Sequence, residues 1–325
     1  MMILILADAF DSHVDAVEIY LRQSGSEFSR LNLDVESLRQ TSISFDGDIW
    51  VFSQNGIETS SADISCVWAR RLTVSLTLEQ QNLKEDVTSK IWRAEWNRCL
   101  YGLYAHLRDI FWMNPIAAAS LADNKYFQFQ VAKSQGFLLP PILSSNSKID
   151  LLKFAERSES VAVKFMSQDI YMMPNGEFKG VYVNKIDKDD LSEFGGHDEN
   201  PITLQKYIRK SYEVRHTYVD GSHFSCKIES QLSSRASIDW RRYDVPNTPH
   251  SAIASPPEVI RRINSIMSKL GLYYGAFDFI VDDDDRWWYL EVNSSGQWLW
   301  IEDLVGLPIS ARVAESLAQR SIVRN

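Results

Sequence analysis

The sequence predicts an α/β fold with α+β character, divided into three lobes, and three observations carry that prediction. The chain opens as strand, helix, strand: residues 2–7 are a short apolar run, Asp11 begins a helical pattern, and residues 28–33 form a second strand pattern after Gly25. Three turn signals, Asp46-Gly47, Pro174-Asn175-Gly176 and Asp220-Gly221, divide strand patterns into hairpins. The 325 residues are also too many for one ordinary core.

The elements follow in order. Val14, Val17, Ile19 and Leu21 supply the apolar side of the first helix. Residues 43–45 and 48–52 read as a hairpin, and residues 64–68 as a further strand that ends in Ala69-Arg70-Arg71. A long amphipathic helix is predicted over 84–108, with Ile91, Trp92, Trp96, Leu100, Leu103 and Leu107 turned inward. Asn114-Pro115 is a breaker that closes an N-terminal α/β domain at residue 115. A central lobe over 116–200 holds a helix at 117–135, another at 148–157, a strand at 161–165 and the hairpin around Asn175-Gly176. A C-terminal lobe over 201–325 holds strands at 202–208, 213–219, 222–229, 276–281 and 287–292, and helices at 258–270 and 309–319.

Composition sets limits. With 45% hydrophobic residues and 10 Trp, a large core is available. A formal charge of −9 argues against a general nucleic-acid surface but allows a local cluster of Arg and Lys in a cleft. Cys66, Cys99 and Cys226 are odd in number, far apart and without metal-ligand spacing, so they are expected to be reduced, packed thiols. The N-terminal apolar run lacks a basic flank and meets Asp8 at once, which reads as a strand and not a signal peptide. No run of about 18 apolar residues is present to span a bilayer. A cytoplasmic protein without membrane or nucleic-acid partners is expected.

Chemistry concentrates near the C-terminus. In a strand, side chains i and i+2 share a face, so Glu291 and Asn293 point the same way. If residue 281 pairs near residue 288, Asp278 stands opposite Glu291. Three oxygen-bearing side chains then meet on one face, a donor set suited to magnesium on a triphosphate. The wet face of a plain hairpin is the alternative that spacing leaves open. The run of Asn293 into Ser294-Ser295-Gly296, a loop able to approach a ligand closely, favours the site. The four aspartates 282–285 lack the pattern of a calcium loop and read as a solvated turn.

Cationic and hydrogen-bonding candidates come earlier. Lys164 ends an apolar strand, where an ammonium is costly without a partner such as a phosphate. Lys125, alone, reads as an ordinary surface lysine. Gln205, Lys206, Tyr207 and Ile208 lead into a chain break and could offer backbone to an adenine edge. Glu213 and Arg215 share a strand face, and an Arg fork suits carboxylate or phosphate. Asp239-Trp240-Arg241-Arg242-Tyr243-Asp244 is either a phosphate clamp or a surface salt-bridge cluster.

Taken in order, Lys125, Lys164, residues 205–208, Glu213-x-Arg215, Arg241, Asp278 and Glu291-x-Asn293 resemble the ATP-grasp superfamily of ligases. Within it the chain is most similar to the graspetide synthetases, the macrocyclising ligases of the microviridin type. That narrower likeness rests on Trp68-Ala69-Arg70-Arg71, Asn114-Pro115, Asn124-Lys125, Glu213-Val214-Arg215, Asp239 to Tyr243, and Glu291 through Trp300. The resemblance implies an ATP-grasp fold, with an N-terminal pre-grasp domain and ATP bound between the central and C-terminal lobes. It implies ATP and Mg²⁺ as cofactors, with a ribosomal precursor peptide, made of a leader and an acidic and hydroxyl-bearing core, as partner. Lys125 and Lys164 would hold phosphates, and Gln205, Lys206, Tyr207 and Ile208 would line the adenine pocket. Asp278, Glu291 and Asn293 would ligate Mg²⁺. Arg215 and Arg241 would steady the acyl phosphate and the attacked carboxyl, and Glu213 would orient Arg215 or the nucleophile. In the resembled family a central-domain hairpin contacts the leader, which points to Tyr171, Met172, Met173 and Tyr182.

Two rival readings share these residues: a ligase that adds an amino acid to a peptide, protein or small molecule, and a non-catalytic nucleotide-binding scaffold. Ester and amide closure use the same ATP residues, so the sequence does not separate them. A homodimer is compatible with the resemblance, since ATP-grasp ligases are often dimers or tetramers.

Overall fold

The computed structural model describes residues 1–82, 86–158, 160–164, 166, 170–172, 177–180, 183–186, 199–234, 236–240 and 245–322. The N-terminal segment runs β1 (Met2–Ala7), α1 (Ser12–Gln23), β2 (Phe28–Asn32), α2 (Val35–Arg39), β3 (Ser42–Phe45), β4 (Trp50–Gln54), β5 (Ile57–Ser60), β6 (Ile64–Ala69), α3 (Leu78–Asn82), α4 (Val87–His106) and β7 (Phe111–Met113). The strands β2-β1-β6-β7 form a parallel sheet, and β3-β4-β5 form an antiparallel meander beside it. β1 carries an almost continuous apolar run because both of its faces are covered. Asp11 caps α1 by accepting from the His13 and Val14 amides.

Next come α5 (Ile116–Ala122), α6 (Lys125–Ser134), β8 (Ile142–Ser145), α7 (Lys148–Glu156), β9 (Val161–Lys164), β10 (Ile170–Met172), β11 (Phe178–Gly180), β12 (Asn184–Ile186) and β13 (Ile202–Lys206). A four-stranded sheet, β12-β9-β13-β8, has its own small core of Leu151, Ala155, Val161, Val163 and Leu204. β10 and β11 pair antiparallel from Ile170–Gly180 to Met172–Phe178. Their predicted turn, Pro174-Asn175-Gly176, lies outside the described residues, as do Met173 and Tyr182.

The last segment contains β14 (Tyr212–Val219), β15 (Ser222–Ile228), β16 (His250–Ile253), α8 (Pro257–Leu270), β17 (Tyr274–Val281), β18 (Trp287–Asn293), α9 (Leu299–Val305) and α10 (Ile309–Ile322). Its antiparallel sheet has the order β16-β15-β14-β17-β18. β14 and β15 turn at Asp220-Gly221, whose φ values of 43° and 87° suit the left-handed hairpin turn predicted there. The Asp220 carboxylate is held by Arg320 and Ser316 of α10. That helix crosses back to the first sheet: Ile3, Ile5, Val14, Leu21, Trp298, Val313 and Leu317 share one apolar cluster.

Several expectations are corrected. Ile19 and Ile91 are exposed, because each lies off its helix's buried stripe; in α1 that stripe is Val14, Val17 and Leu21, spaced three and four apart. The helix expected over 117–135 is two helices, broken at Asp123-Asn124, where Asn124 caps α6 by accepting from the Phe127 amide. These helices pack on α8 and β18, with Ala122, Ala132 and Phe137 in the core of the last sheet. β5, β16 and α9 had no strong sequence signal. Asp282 is buried, not solvated: it accepts from the Asp284 and Arg286 amides, the Arg286 guanidinium and the Trp288 indole, and so organises its turn. Cys66 and Cys226 are buried free thiols, and Cys99 is half-buried. Among the described residues no helix is long and apolar enough to cross a membrane.

His216 on β14 is fully buried. Its Nδ1 meets the Ser225 and Ser255 hydroxyls at 2.8 and 2.9 Å, and its Nε2 meets His223 Nδ1 at 2.9 Å. Burial, assisted by the neighbouring His223, pushes its pKa down to about 3. Unfolding restores an ordinary value of about 6.5. The unfolded chain therefore binds a proton that the native one refuses between those values. Stability is full above that upper value and is lost as pH falls through the window, by on the order of a few kcal/mol. Denaturant titrations across this window should show that slope, and His216→Gln should flatten it while lowering overall stability.

Candidate active site

The site begins with a row of four side chains. Across the last sheet, Arg215 on β14 pairs with Asp278 on β17, and Asp278 pairs with Glu291 on β18. Arg215 Nη1 donates to both Asp278 carboxylate oxygens at 2.9 Å. Lys125 Nζ lies 2.5 Å from Glu291 Oε2. The charges thus run positive, negative, negative, positive along one face.

The row depends on a β-bulge. Val281, Ile280 and Phe279 pair with Trp287, Trp288 and Tyr289, and the register then shifts so that Asp278 meets Glu291. Leu290 is the extra residue. In an unbroken register Asp278 would face Leu290 and the carboxylates would part. The predicted facing pair is present, and this irregularity delivers it.

Lys125 reaches Glu291 because the helix breaks just before it, which puts Lys125 at the first position of α6. One turn later the buried Gln128 secures the strand. Its Oε1 accepts from the Val292 amide at 3.0 Å, and its Nε2 donates to the Val292 carbonyl at 2.7 Å. Tyr289 also donates to Gln128 Oε1 at 3.0 Å. Gln128 thus supplies at Val292, between Glu291 and Asn293, the bonds a neighbouring strand would give.

Asn293 is exposed, and its Oδ1 accepts from the Ser295 amide at 2.9 Å. The next four carbonyls are each held by a different side chain. Asn114 Nδ2 donates to Ser294 O at 2.9 Å, and Arg70 Nη1 to Ser295 O at 2.9 Å. Tyr274 Oη donates to Gly296 O at 2.6 Å, and Arg215 Nη2 to Gln297 O at 3.4 Å. The loop is tight: a Cβ on Gly296 would lie 2.5 Å from Ala276 Cβ and 3.0 Å from Arg215 Nη2. Glycine is required here for close approach.

Opposite the row stands the central sheet. A cleft is lined by Lys164, Gln205, Lys206, Tyr207 and Ile208 on one side, and by Glu213, Asp278 and Glu291 on the other. The Lys206 and Tyr207 amides already donate to Pro141 O and Ser160 O. Gln205 is buried, and its Nε2 has no partner among the described residues. The cleft therefore brings together eight of the twelve predicted site residues. Lys125 and Arg215 join through their ion pairs, and Asn293 stands at the end of β18. Arg241 lies outside the described residues.

Sequence reasoning missed two residues, Lys210 and Gln128, and gave Trp240 no role of its own. Lys210 is buried in the cleft wall, 2.5 Å from Glu213 Oε1 and 3.0 Å from the Ile238 carbonyl. Glu213 therefore pairs with Lys210, while Arg215 takes Asp278. Burial drives the Glu213 carboxyl upward against the pull of Lys210. The i, i+3 spacing of Lys210 and Glu213 was the available signal, and it is weak outside a helix. Gln128 had none beyond a polar residue in an apolar helix. Trp240 lines the cleft with Arg215 over its ring at 5.7 Å.

No family model and no curated protein matches the sequence. Solved structures do. The RiPP-associated ATP-grasp ligase of Chryseobacterium gregarium, determined with ADP and a leader and core peptide, superposes with a TM-score of 0.86 at 25% identity, covering 98% of this chain and 97% of that one. The macrocyclase MdnC of Microcystis aeruginosa, bound with precursor peptide MdnA, gives 0.83 at 25% identity, covering 98% and 100%. The macrocyclase MdnB of the same organism gives 0.78 at 26% identity, covering 97% and 98%. With its two facing sheets, its charged row and this end-to-end likeness, the chain has the ATP-grasp ligase fold and is most like the graspetide synthetases.

Proposed function

We propose that the chain is an ADP-forming ligase that phosphorylates Asp or Glu side chains of a ribosomal precursor peptide and closes ω-ester or ω-amide rings with its Ser, Thr or Lys side chains. The observation that carries this reading is the row Arg215, Asp278, Glu291 and Lys125 set across a cleft from Lys164 and residues 205–208. Support also comes from the C. gregarium ligase, solved with ADP and a leader and core peptide, and from MdnC, solved with its precursor.

The residues fit ATP and magnesium. Two carboxylates and an amide oxygen are the hard donors Mg²⁺ prefers, so Asp278, Glu291 and Asn293 are its proposed ligands. The buried, unpartnered Nε2 of Gln205 is a donor in want of an acceptor. With the Lys206 and Tyr207 amides already engaged, the Ile208 amide, which donates to no backbone carbonyl among the described residues, is the position proposed for an adenine edge. Lys164 and Lys125 are proposed for the phosphates. When bound, metal and nucleotide supply the phosphoryl group and neutralise its charge.

The remaining work falls to the protein. Arg215 and Arg241 are proposed to hold the substrate carboxylate and its acyl phosphate, which the triphosphate would otherwise repel. Glu213 pairs with Lys210 in the cleft wall. The lobes on this reading are residues 1–115, 116–200 and 201–325, with α5 and α6 seated on the third. A cytoplasmic setting, a homodimeric state and a core rich in acidic and hydroxyl side chains complete the proposal. The hairpin carrying Tyr171 and Met172 is its proposed leader contact.

Purified protein with ATP, Mg²⁺ and its precursor peptide should yield ADP and a peptide lighter by one water per ring, read by mass spectrometry. A gain in mass would instead indicate addition of a separate amine, and ATP binding without turnover would indicate a scaffold. Glu291→Gln and Asn293→Ala should each lower turnover by about a hundredfold or more, with thermal unfolding little changed. Normal turnover in either variant removes that residue from the metal set. Lys210→Met should leave Glu213 buried without its cation and cost about 3 kcal/mol of stability, measured by denaturant unfolding.

A further inference from the structure

We infer that Arg70, a residue of the N-terminal domain, is a positioning residue for the Asn293 side chain at the nucleotide site. This rests on the reading of Asn293 as a metal ligand. Arg70 follows β6 and is nearly buried. Its Nε donates to Asp11 Oδ2 at 3.1 Å, its Nη1 to Ser295 O at 2.9 Å, and its guanidinium lies over the Trp298 ring at 5.4 Å. It therefore spans from the cap of α1 to the loop after β18.

Ser295 is the residue that orients Asn293. Its amide and hydroxyl approach Asn293 Oδ1 at 2.9 and 3.4 Å. A carbonyl oxygen accepts along two directions. The Ser295 amide fixes one, and the longer hydroxyl contact gives way on the other to a cation. A shift of Ser295 would release Asn293 Oδ1; Arg70 holds the carbonyl on the C-terminal side of that residue, in the Ser295–Gly296 peptide, and so fixes Ser295 from that side.

The other clamps on the loop act on different peptides. Asn114 holds Ser294 O, Tyr274 holds Gly296 O, and Arg215 holds Gln297 O. Asn114 fixes the Ser294–Ser295 peptide, which carries the Ser295 amide, while Tyr274 and Arg215 act beyond the Ser295–Gly296 peptide that Arg70 holds. Arg70 is itself braced. Burial opposes ionisation of Asp11, but hydrogen bonds from His13 and the charge and hydrogen bond of Arg70 outweigh it, so its carboxyl lies well below the usual range. His13 accepts from the Trp298 amide at 3.2 Å and packs edge-on against that indole at 4.6 Å. Partners behind a ligand that orient it typically change metal affinity ten- to a hundredfold, roughly, when removed.

The test uses the full chain with Arg70→Gln, Arg70→Lys and, as reference, Asn293→Ala. Lysine keeps the charge but cannot fork between Asp11 and Ser295 O. Calorimetric titration with ADP should give unchanged affinity without metal and about tenfold weaker affinity with Mg²⁺ for both Arg70 variants, in the direction of Asn293→Ala. Peptide affinity should stay as in the parent. Should Arg70→Gln fail to fold, Arg70→Lys carries the measurement. Equal weakening with and without Mg²⁺ marks a merely structural role and overturns the inference. Unchanged Mg²⁺ dependence in the Arg70 variants, with a loss in Asn293→Ala, overturns it while leaving the ligase reading intact. Unchanged Mg²⁺ dependence in Asn293→Ala removes the metal assignment and the inference together.

Discussion

Four peptide carbonyls in a row, Ser294 to Gln297, are each claimed by a side chain from a different part of the chain, and the geometry of the site depends on that constraint. A backbone acceptor left unbonded away from water costs as much as a lost hydrogen bond. A loop with no regular partner needs each bond supplied individually. Here the donors are Asn114 after β7, Arg70 after β6, Tyr274 at the start of β17 and Arg215 in β14. The loop can adopt this path only if both sheets are already in place. Asn114 strengthens the coupling, since it also bonds the Tyr273 and Tyr274 amides and the Tyr274 carbonyl. The N-terminal domain is therefore part of the wall that shapes the end of β18.

The charges near the cleft obey a related rule. Ionised groups are tolerated in poor solvent only when paired and hydrogen-bonded. Arg215 with Asp278, and Lys210 with Glu213, are nearly inaccessible and each is so paired. Pairs of this kind add little net stability, because desolvation cancels most of the attraction, yet losing one partner is severe. Their value lies in placement: they hold ions at fixed points on a β-sheet, where a ligand can meet them without reorganisation.

How much of this was legible follows from what each signal depends on. The alternation of Glu291 and Asn293, the Asp220-Gly221 turn and the apolar run of β1 are local, and the sequence displays them. The facing of Asp278 and Glu291 was legible only in outline. A uniform register predicts it from the wrong partner for Val281, and the bulge at Leu290 restores it. A bulge leaves no composition signal. Lys125 looked like any surface lysine because its partner lies far along the chain. Gln128 and Lys210 were hidden for the same reason. The exposure of Ile19 and Ile91 shows the converse error, an apolar residue counted into a stripe it does not share.

The separate cores give the cleft its last property. The central sheet packs around Leu151, Val163 and Leu204, while the row of ions sits on a sheet packed around Ile263, Phe277 and Tyr289. Among the described residues the apolar clusters of the two sheets are separate. Their spacing is set by the chain crossings near Pro140 and Ile208 and by what lies between the sheets. A core shared across the cleft would have to be broken whenever the gap changed, at the cost of buried apolar area. Two cores joined by short crossings can open and close around a charged guest while each stays intact. This arrangement suits the proposed ligase, whose site would have to admit nucleotide and an extended peptide, and then exclude water while the reactive acyl group is made.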